Sequence, residues 1–288
     1  PPLGMTQLSS VVRELGVAED VVGARLVLST PTADGAFAAY ASVIDNVTND
    51  PRTLLPVGPV ESAHPLPDTW LLPSSARAEG AGGAFYTTDL TVAWASELGA
   101  RFTLKLLGHD EDGRGGPEAT FDLGAGASVT YGDVLGSVFQ KTSAWGAIRV
   151  ASQSPIAGST FIGVLGQTST PGFGGTFGQS VPAATAAELI RPGSERSILA
   201  VREDASFRTN LCLANATEVD LDVDVRLVSA GGSVLATKRY PLAPLGMTQV
   251  TNVVRALGLA TDVTGARLVL STLTENGAFA AFASVIDN

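Results

Sequence analysis

The strongest constraint on this chain is a long internal copy. Residues 1–46 and 243–288 align without gaps at an offset of 242, and 34 of the 46 positions are identical. The differences are mild, such as Tyr40 against Phe282 or Asp34 against Asn276. A more diverged repeat lies inside that unit. Thr88-Asp89-Leu90-Thr91-Val92-Ala93 matches Thr209-Asn210-Leu211-Cys212-Leu213-Ala214 at offset 121, residues 97–107 overlay 218–228, and Phe161 matches Phe279 at offset 118. Self-similarity at fixed period marks a chain built from repeated structural units. The expected order is half a module (1–58), a proline-rich linker (59–69), a complete module (70–182), a second linker (183–197) and a second complete module (198–288).

Strand periodicity dominates each module. Residues 218–227 alternate polar and apolar, the pattern of a strand buried on one face. Residues 266–272 and 278–286 are β-rich and flank Asn276-Gly277, which reads as a hairpin turn because both residues tolerate positive φ. The second run, apolar at nearly every position, reads as a central strand covered on both faces. One helical slot interrupts the pattern at 251–258, with a capping residue, an apolar stripe and Gly258 as a stop. Residues 131–140 and 9–16 occupy the same slot. About seven strands and one short helix per module fit an all-β fold of tandem immunoglobulin-like sandwiches. Leu90, Val92, Leu211, Leu213, Val223, Val225, Phe161 and Phe279 are the expected core.

Composition excludes several classes. Hydrophobic residues make up 45% and charged residues 16%, too apolar and too weakly charged for a disordered chain. No apolar run approaches the ~18 residues of a membrane helix. A net charge of −10 argues against nucleic acid and anionic lipid as partners. One Cys and two His supply neither an internal disulfide nor a structural zinc site. Cys212 reads as a small core residue and His64 as a linker residue. The loop from His109 to Gly113 lacks the spacing of a calcium loop and reads as a polar turn. The glycine cluster 172–178 precedes no helix and reads as a loop or edge strand. Asn46-Val47-Thr48 and Asn215-Ala216-Thr217 match the glycosylation pattern. No nucleophile elbow, metalloprotease helix or phosphate loop is present, so no catalytic, cofactor-binding or metal-ligating residue is assigned.

Charge patterning offers one candidate site. Asp220, Asp222 and Asp224 line one strand face, where side chains about 6.6 Å apart diverge instead of converging on a cation. At the equivalent register the sister module carries Arg101, Thr103 and Lys105. Asp222 and Asp224 are therefore expected to meet Arg101 and Lys105 between modules, either along the chain or between chains. The first copy raises a separate expectation. Residues 1–46 hold only a second half-module, with neither initiator Met nor signal peptide ahead of it. Preceding repeats or a donated strand are expected to complete it.

The segments 207–211, 253–258 and 281–288 resemble tandem immunoglobulin-like modules of large secreted bacterial proteins. The resemblance implies an extracellular or cell-surface setting, and it carries no catalytic residues. The expected function is a non-catalytic structural repeat of an extracellular bacterial fibre, stalk or surface layer, assembling head to tail by self-association. The second reading is a carbohydrate- or cell-wall-binding accessory region, with surface polysaccharide as partner. That reading needs exposed aromatic platforms among Trp70, Trp94, Trp145 and Tyr86.

Overall fold

In the computed structural model, residues 4–56, 69–95, 97–153 and 161–288 are described, with backbone alone at 81, 161 and 162. The chain divides into a small unit, residues 1–37, and a large one, residues 38–288. The small unit contains α1 (Val11–Glu14) and no strand among its described residues. The large unit opens with a hairpin of β1 (Ala41–Ile44) and β2 (Pro51–Leu54). Then come β3 (Thr69–Glu79), β4 (Phe85–Ala95), β5 (Ala100–Gly108), β6 (Glu118–Leu123), β7 (Ser128–Tyr131), α2 (Val134–Ser137), β8 (Ala144–Ser152), β9 (Phe161–Gly172), β10 (Gly175–Pro182) and β11 (Ala184–Thr185). The last stretch holds β12 (Glu195–Glu203), β13 (Phe207–Asn215), β14 (Leu221–Val228), β15 (Val234–Leu242), β16 (Met247–Val250), α3 (Val253–Ala256), β17 (Val263–Thr272) and β18 (Phe279–Asp287).

The second module is a seven-stranded, sandwich-like pair of antiparallel sheets. One sheet runs β12-β17-β14-β15 and the other β16-β13-β18. Leu211 and Leu213 of β13 and Phe279 of β18 meet Val223, Val225, Leu268 and Leu270 of the facing sheet, all fully buried. The first module repeats the plan with β3-β8-β5-β6 against β7-β4-β9-β10, and the end of β3 also pairs with β4. Its core gathers Leu90, Val92, Phe102, Leu104 and Ile148 around the buried Trp94. Every core position expected from the sequence is buried, apart from Phe161, whose side chain lies outside the described residues.

Both modules share one pairing rule. Counting strands within a module, the first pairs with the sixth, the second with the fifth and seventh, and the third with the fourth and sixth. An immunoglobulin constant domain instead places its first strand beside the second and its seventh beside the sixth. The all-β class and the antiparallel sheets match expectation; against the constant-domain plan the first, fourth and seventh strands have each changed sheet. The expected hairpin at Asn276-Gly277 is corrected for the same reason. Asn276 does adopt φ 59° and Gly277 N donates to Thr274 O, but the turn carries the chain across the sandwich. Residues 263–272 pair with β12 and β14 while 279–287 pair with β13, so the turn is an arch. The last strand is also an edge, fully buried only at Phe279 and Ala280, with residues 281–284 partly covered.

The repeated Thr-Asp/Asn dipeptide latches the helical slot. Asn210 Oδ1 accepts from Asn252 N at 3.2 Å, and Asp89 Oδ1 accepts from Asp133 N at 2.8 Å. In each case the residue entering the turn has φ near +50° (44° at Asp133, 51° at Asn252). Thr209 Oγ1 accepts from Arg202 N just as Thr88 Oγ1 accepts from Ala76 N, tying the second strand to the first. The buried Glu203 adds bonds from Val254 N and Arg255 N, which satisfies the open end of α3. Each slot is a single turn, shorter than the helix expected.

Duplicate positions now occupy opposite environments. Phe279 is 0% exposed and its copy Phe37 is 55% exposed. Phe279→Ala is expected to cost about 3–5 kcal/mol in chemical denaturation of the large unit. Phe37→Ala in the same chain is expected to change stability by less than about 0.5 kcal/mol.

Candidate functional site: the seam between the two complete modules

A third apolar cluster lies between the modules. The first contributes Leu71, Leu107 and Ala147; the second contributes Cys212, Ala214, Leu245, Met247 and Ala280. Strand alternation explains it. Leu211 and Leu213 point into the second module's own core, so Cys212 and Ala214 face the other way, onto the first module. The outer faces are small or aliphatic where a solvated strand would carry charge. Two apolar sheet faces pack here much as they do inside a module.

The loop after β5 locks the seam. Asp110 N donates to Met247 O at 2.7 Å and Gly113 N donates to Pro244 O at 3.0 Å, while Leu245 N donates to Thr217 O. A Cβ at Gly113 would lie 1.9 Å from Leu245 O, so only glycine permits this approach. Asp112 holds the loop's shape by accepting from Arg114 N and from the Arg114 guanidinium, which keeps its carboxyl below the usual range. The loop expected to be an ordinary polar turn is thus a docking element. Residues 183–197, read as a linker, are also stitched down: β11 pairs with β3, and Ile190 and Phe279 exchange backbone bonds.

The four charged candidates sit in cross-strand pairs within their own hairpins. Arg101 on β5 forms a two-pronged pair with Asp122 on β6, at 2.9 and 3.0 Å. Lys105 donates to Arg114 O and, at 3.4 Å, to Glu118. On the other module Arg239 of β15 grips Asp224 of β14 at 2.8 and 3.0 Å and reaches Asp222 at 3.9 Å. The opposite signs seen in sequence are therefore a swap between two strands: β5 is basic beside an acidic β6, and β14 is acidic beside a basic β15. The ion pairs hold each stripe to its own hairpin and do not bring the two stripes together.

Other candidates resolve locally. Cys212 is buried in the seam, and desolvation pushes its thiol up to about 11. Asn215 is buried and donates to Val219 O and Ala243 O while accepting from Thr217, so this glycosylation pattern is a structural tie. Asn46 is exposed. Trp70 and Trp94 are core residues, and Trp145, 41% exposed, lies against the His109 ring at 5.1 Å. His64 falls outside the described residues. Among the described residues no cluster of three His, Cys, Asp or Glu could hold a metal ion. Among the described residues no helix is long and apolar enough to cross a membrane. No protein-family model matches the chain, and no curated protein matches it in sequence.

The seam gives Cys212 a second use, as a reporter of docking. A buried thiol with a raised pKa reacts slowly with disulfide reagents at pH 8. Gly113→Ala is expected to speed that reaction at least about tenfold without changing the far-UV spectrum. An unchanged rate would show that the loop does not hold the seam closed.

Proposed function

We propose that this chain is a non-catalytic structural segment of an extracellular or cell-surface array, built from immunoglobulin-like sandwiches with a rearranged strand order. The observation that carries this reading is the apolar seam. A flexible string of binding domains keeps its modules apart on polar surfaces, whereas this chain spends an apolar sheet face on holding two modules in fixed register. The seam-forming stretch Leu245-Gly246-Met247 also recurs in sequence as Leu3-Gly4-Met5, one 242-residue period away. A junction that repeats with the period suits a load-bearing row of modules.

Self-association is part of the proposal, with lateral contact between the Asp222/Asp224 and Arg101/Lys105 stripes as its polar component. Such a contact competes with pairs already made inside each hairpin, so it is expected to be weak and salt-sensitive. Asp222→Arg combined with Asp224→Arg is expected to weaken association detectably in sedimentation, as is raised salt. The carbohydrate-binding reading keeps one supporting feature, the half-exposed Trp145 beside His109.

Negative-stain electron microscopy of concentrated protein separates the two readings. Rows or filaments with a regular module spacing are the expected result. Monodisperse particles that bind a surface polysaccharide, with binding lost in Trp145→Ala, would overturn the structural reading.

A further inference from the structure

An edge strand presents unpaired backbone groups, and the large unit treats its edges in two ways. The edge of β10 is covered from within the chain. Asp45 accepts from Thr176 N at 3.0 Å, Asp50 accepts from Gly178 N at 2.8 Å, and Thr48 Oγ1 donates to Thr176 O. The edges of β6 and β15 carry no such cover. Among the described residues β6 pairs with β5 alone and β15 with β14 alone. These two strands hold the same place in their modules, the fourth.

The ladders fix which groups these edges offer. Leu106 N donates to Pro117 O in the β5–β6 register, so 119, 121 and 123 point their backbone groups at β5 and 118, 120 and 122 point theirs outward. On the other module Asp222 turns its groups to the β17 side: its N donates to Thr274 Oγ1 and its O accepts from Thr272 Oγ1. Its cross-strand partner Pro241, and with it Arg239 and Thr237, therefore point outward on β15. Proline sits where its missing N–H faces away from the ladder, as an edge strand permits. The same residues carry the charge. On the outer face β6 presents Glu118, Thr120 and Asp122, whereas β15 presents Thr237 and Arg239. Two β6 edges or two β15 edges would set like charge against like; β6 against β15 sets acid against base.

We infer that β6 of one molecule pairs antiparallel with β15 of a second copy of this chain, joining their two four-stranded sheets edge to edge. Glu118 opposite Arg239 and Thr120 opposite Thr237 is the register that matches outward groups with outward groups, keeps these side chains on one face and leaves Pro241 beyond the ladder. From strand to strand the joined face then alternates in sign: Arg101 and Lys105 on β5, Glu118 and Asp122 on β6, Arg239 on β15, Asp222 and Asp224 on β14. The pairs already present survive the joining. Lys105 holds Glu118 at 3.4 Å, and the Glu118 side chain is 51% exposed, so its carboxylate has room to accept from a second cation. Each molecule that joins keeps one free β6 or β15 edge, so the contact is heterologous and propagates into a row, or into a ring where the rotation closes.

This rests on the self-association reading and gives it a backbone-mediated contact, distinct from the contact between the charged stripes. The test mixes two variants of the full chain, Thr120→Cys and Thr237→Cys, under mild oxidation and reads covalent dimer on a denaturing gel. Both positions are exposed, and the native Cys212 is buried. Strand pairing brings the two Cα atoms to ~5.5 Å, within disulfide range. Dimer is expected in the mixture and not in either variant alone. Adding Glu118→Arg to the first variant is expected to cut the dimer yield about threefold to tenfold, and adding Arg239→Glu to the second as well is expected to restore it. Misfolding cannot produce that rescue. No dimer in the mixture, or as much dimer from Thr120→Cys alone, would overturn the inference. Rows in the microscope without a mixed dimer would overturn this contact and leave the array reading in place. A mixed dimer without rows, as in a closed ring, would overturn the array and leave the contact.

Discussion

Each module depends on ladders that join its two halves. The second strand sits between the fifth and seventh, and the sixth sits between the first and third, so apart from the third–fourth hairpin and the end of β3 on β4 each half finds its ladder partners in the other. The cost of ordering a strand, about 1–2 kcal/mol per residue in backbone entropy, is met only when the other half arrives. Residues 243–288 and 4–46 display the two outcomes in one molecule. With 195–242 beside them, the former are core strands with Leu268, Leu270 and Phe279 fully buried. Among the described residues, 4–46 have no such half paired with them, and their equivalents Leu26, Leu28 and Phe37 are exposed; strand propensity alone does not form the sheet.

Local structure survives where ladders do not. Arg13 Nη1 donates to Glu19 O and Nη2 pairs with Asp20, at 2.6 and 2.8 Å. Arg255 makes the matching bonds to Thr261 O and Asp262, at 2.6 and 2.7 Å. The turns α1 and α3 have the same boundaries in the repeat frame, and Asp34 and Asn276 share the left-handed conformation. These features close loops of seven residues or fewer, so their entropic cost is small. The strands require partners dozens of residues away. The duplicate thus separates what the chain encodes locally from what it encodes through assembly.

That division explains which parts were legible in the sequence. Alternation identified the buried positions of β14, because period-two burial is a local signal, and the offset-121 match pointed to those of β4 and β13. The Asn276-Gly277 turn was readable as a turn; whether it makes a hairpin or an arch depends on which sheet claims each flanking strand. The seam was written in Cys212 and Ala214, small residues on a face opposite Leu211 and Leu213, yet nothing local distinguishes such a face from an edge. The role of the His109–Gly113 loop was hidden because its partners, Pro244 and Met247, lie more than a hundred residues away. The charged stripes were visible, but their partners Asp122 and Arg239 follow only from the β5–β6 and β14–β15 registers.

The two methionines of the chain, Met5 and Met247, are copies of one another, one in each environment. A methyl spectrum of protein labelled at methionine therefore reads the central claim with two peaks. Interleaving predicts that a soluble paramagnetic agent quenches a sharp Met5 signal near its random-coil position and spares a displaced Met247 signal. Two displaced, equally protected methyl groups would show that a second half-module folds without its first half, and would contradict the account.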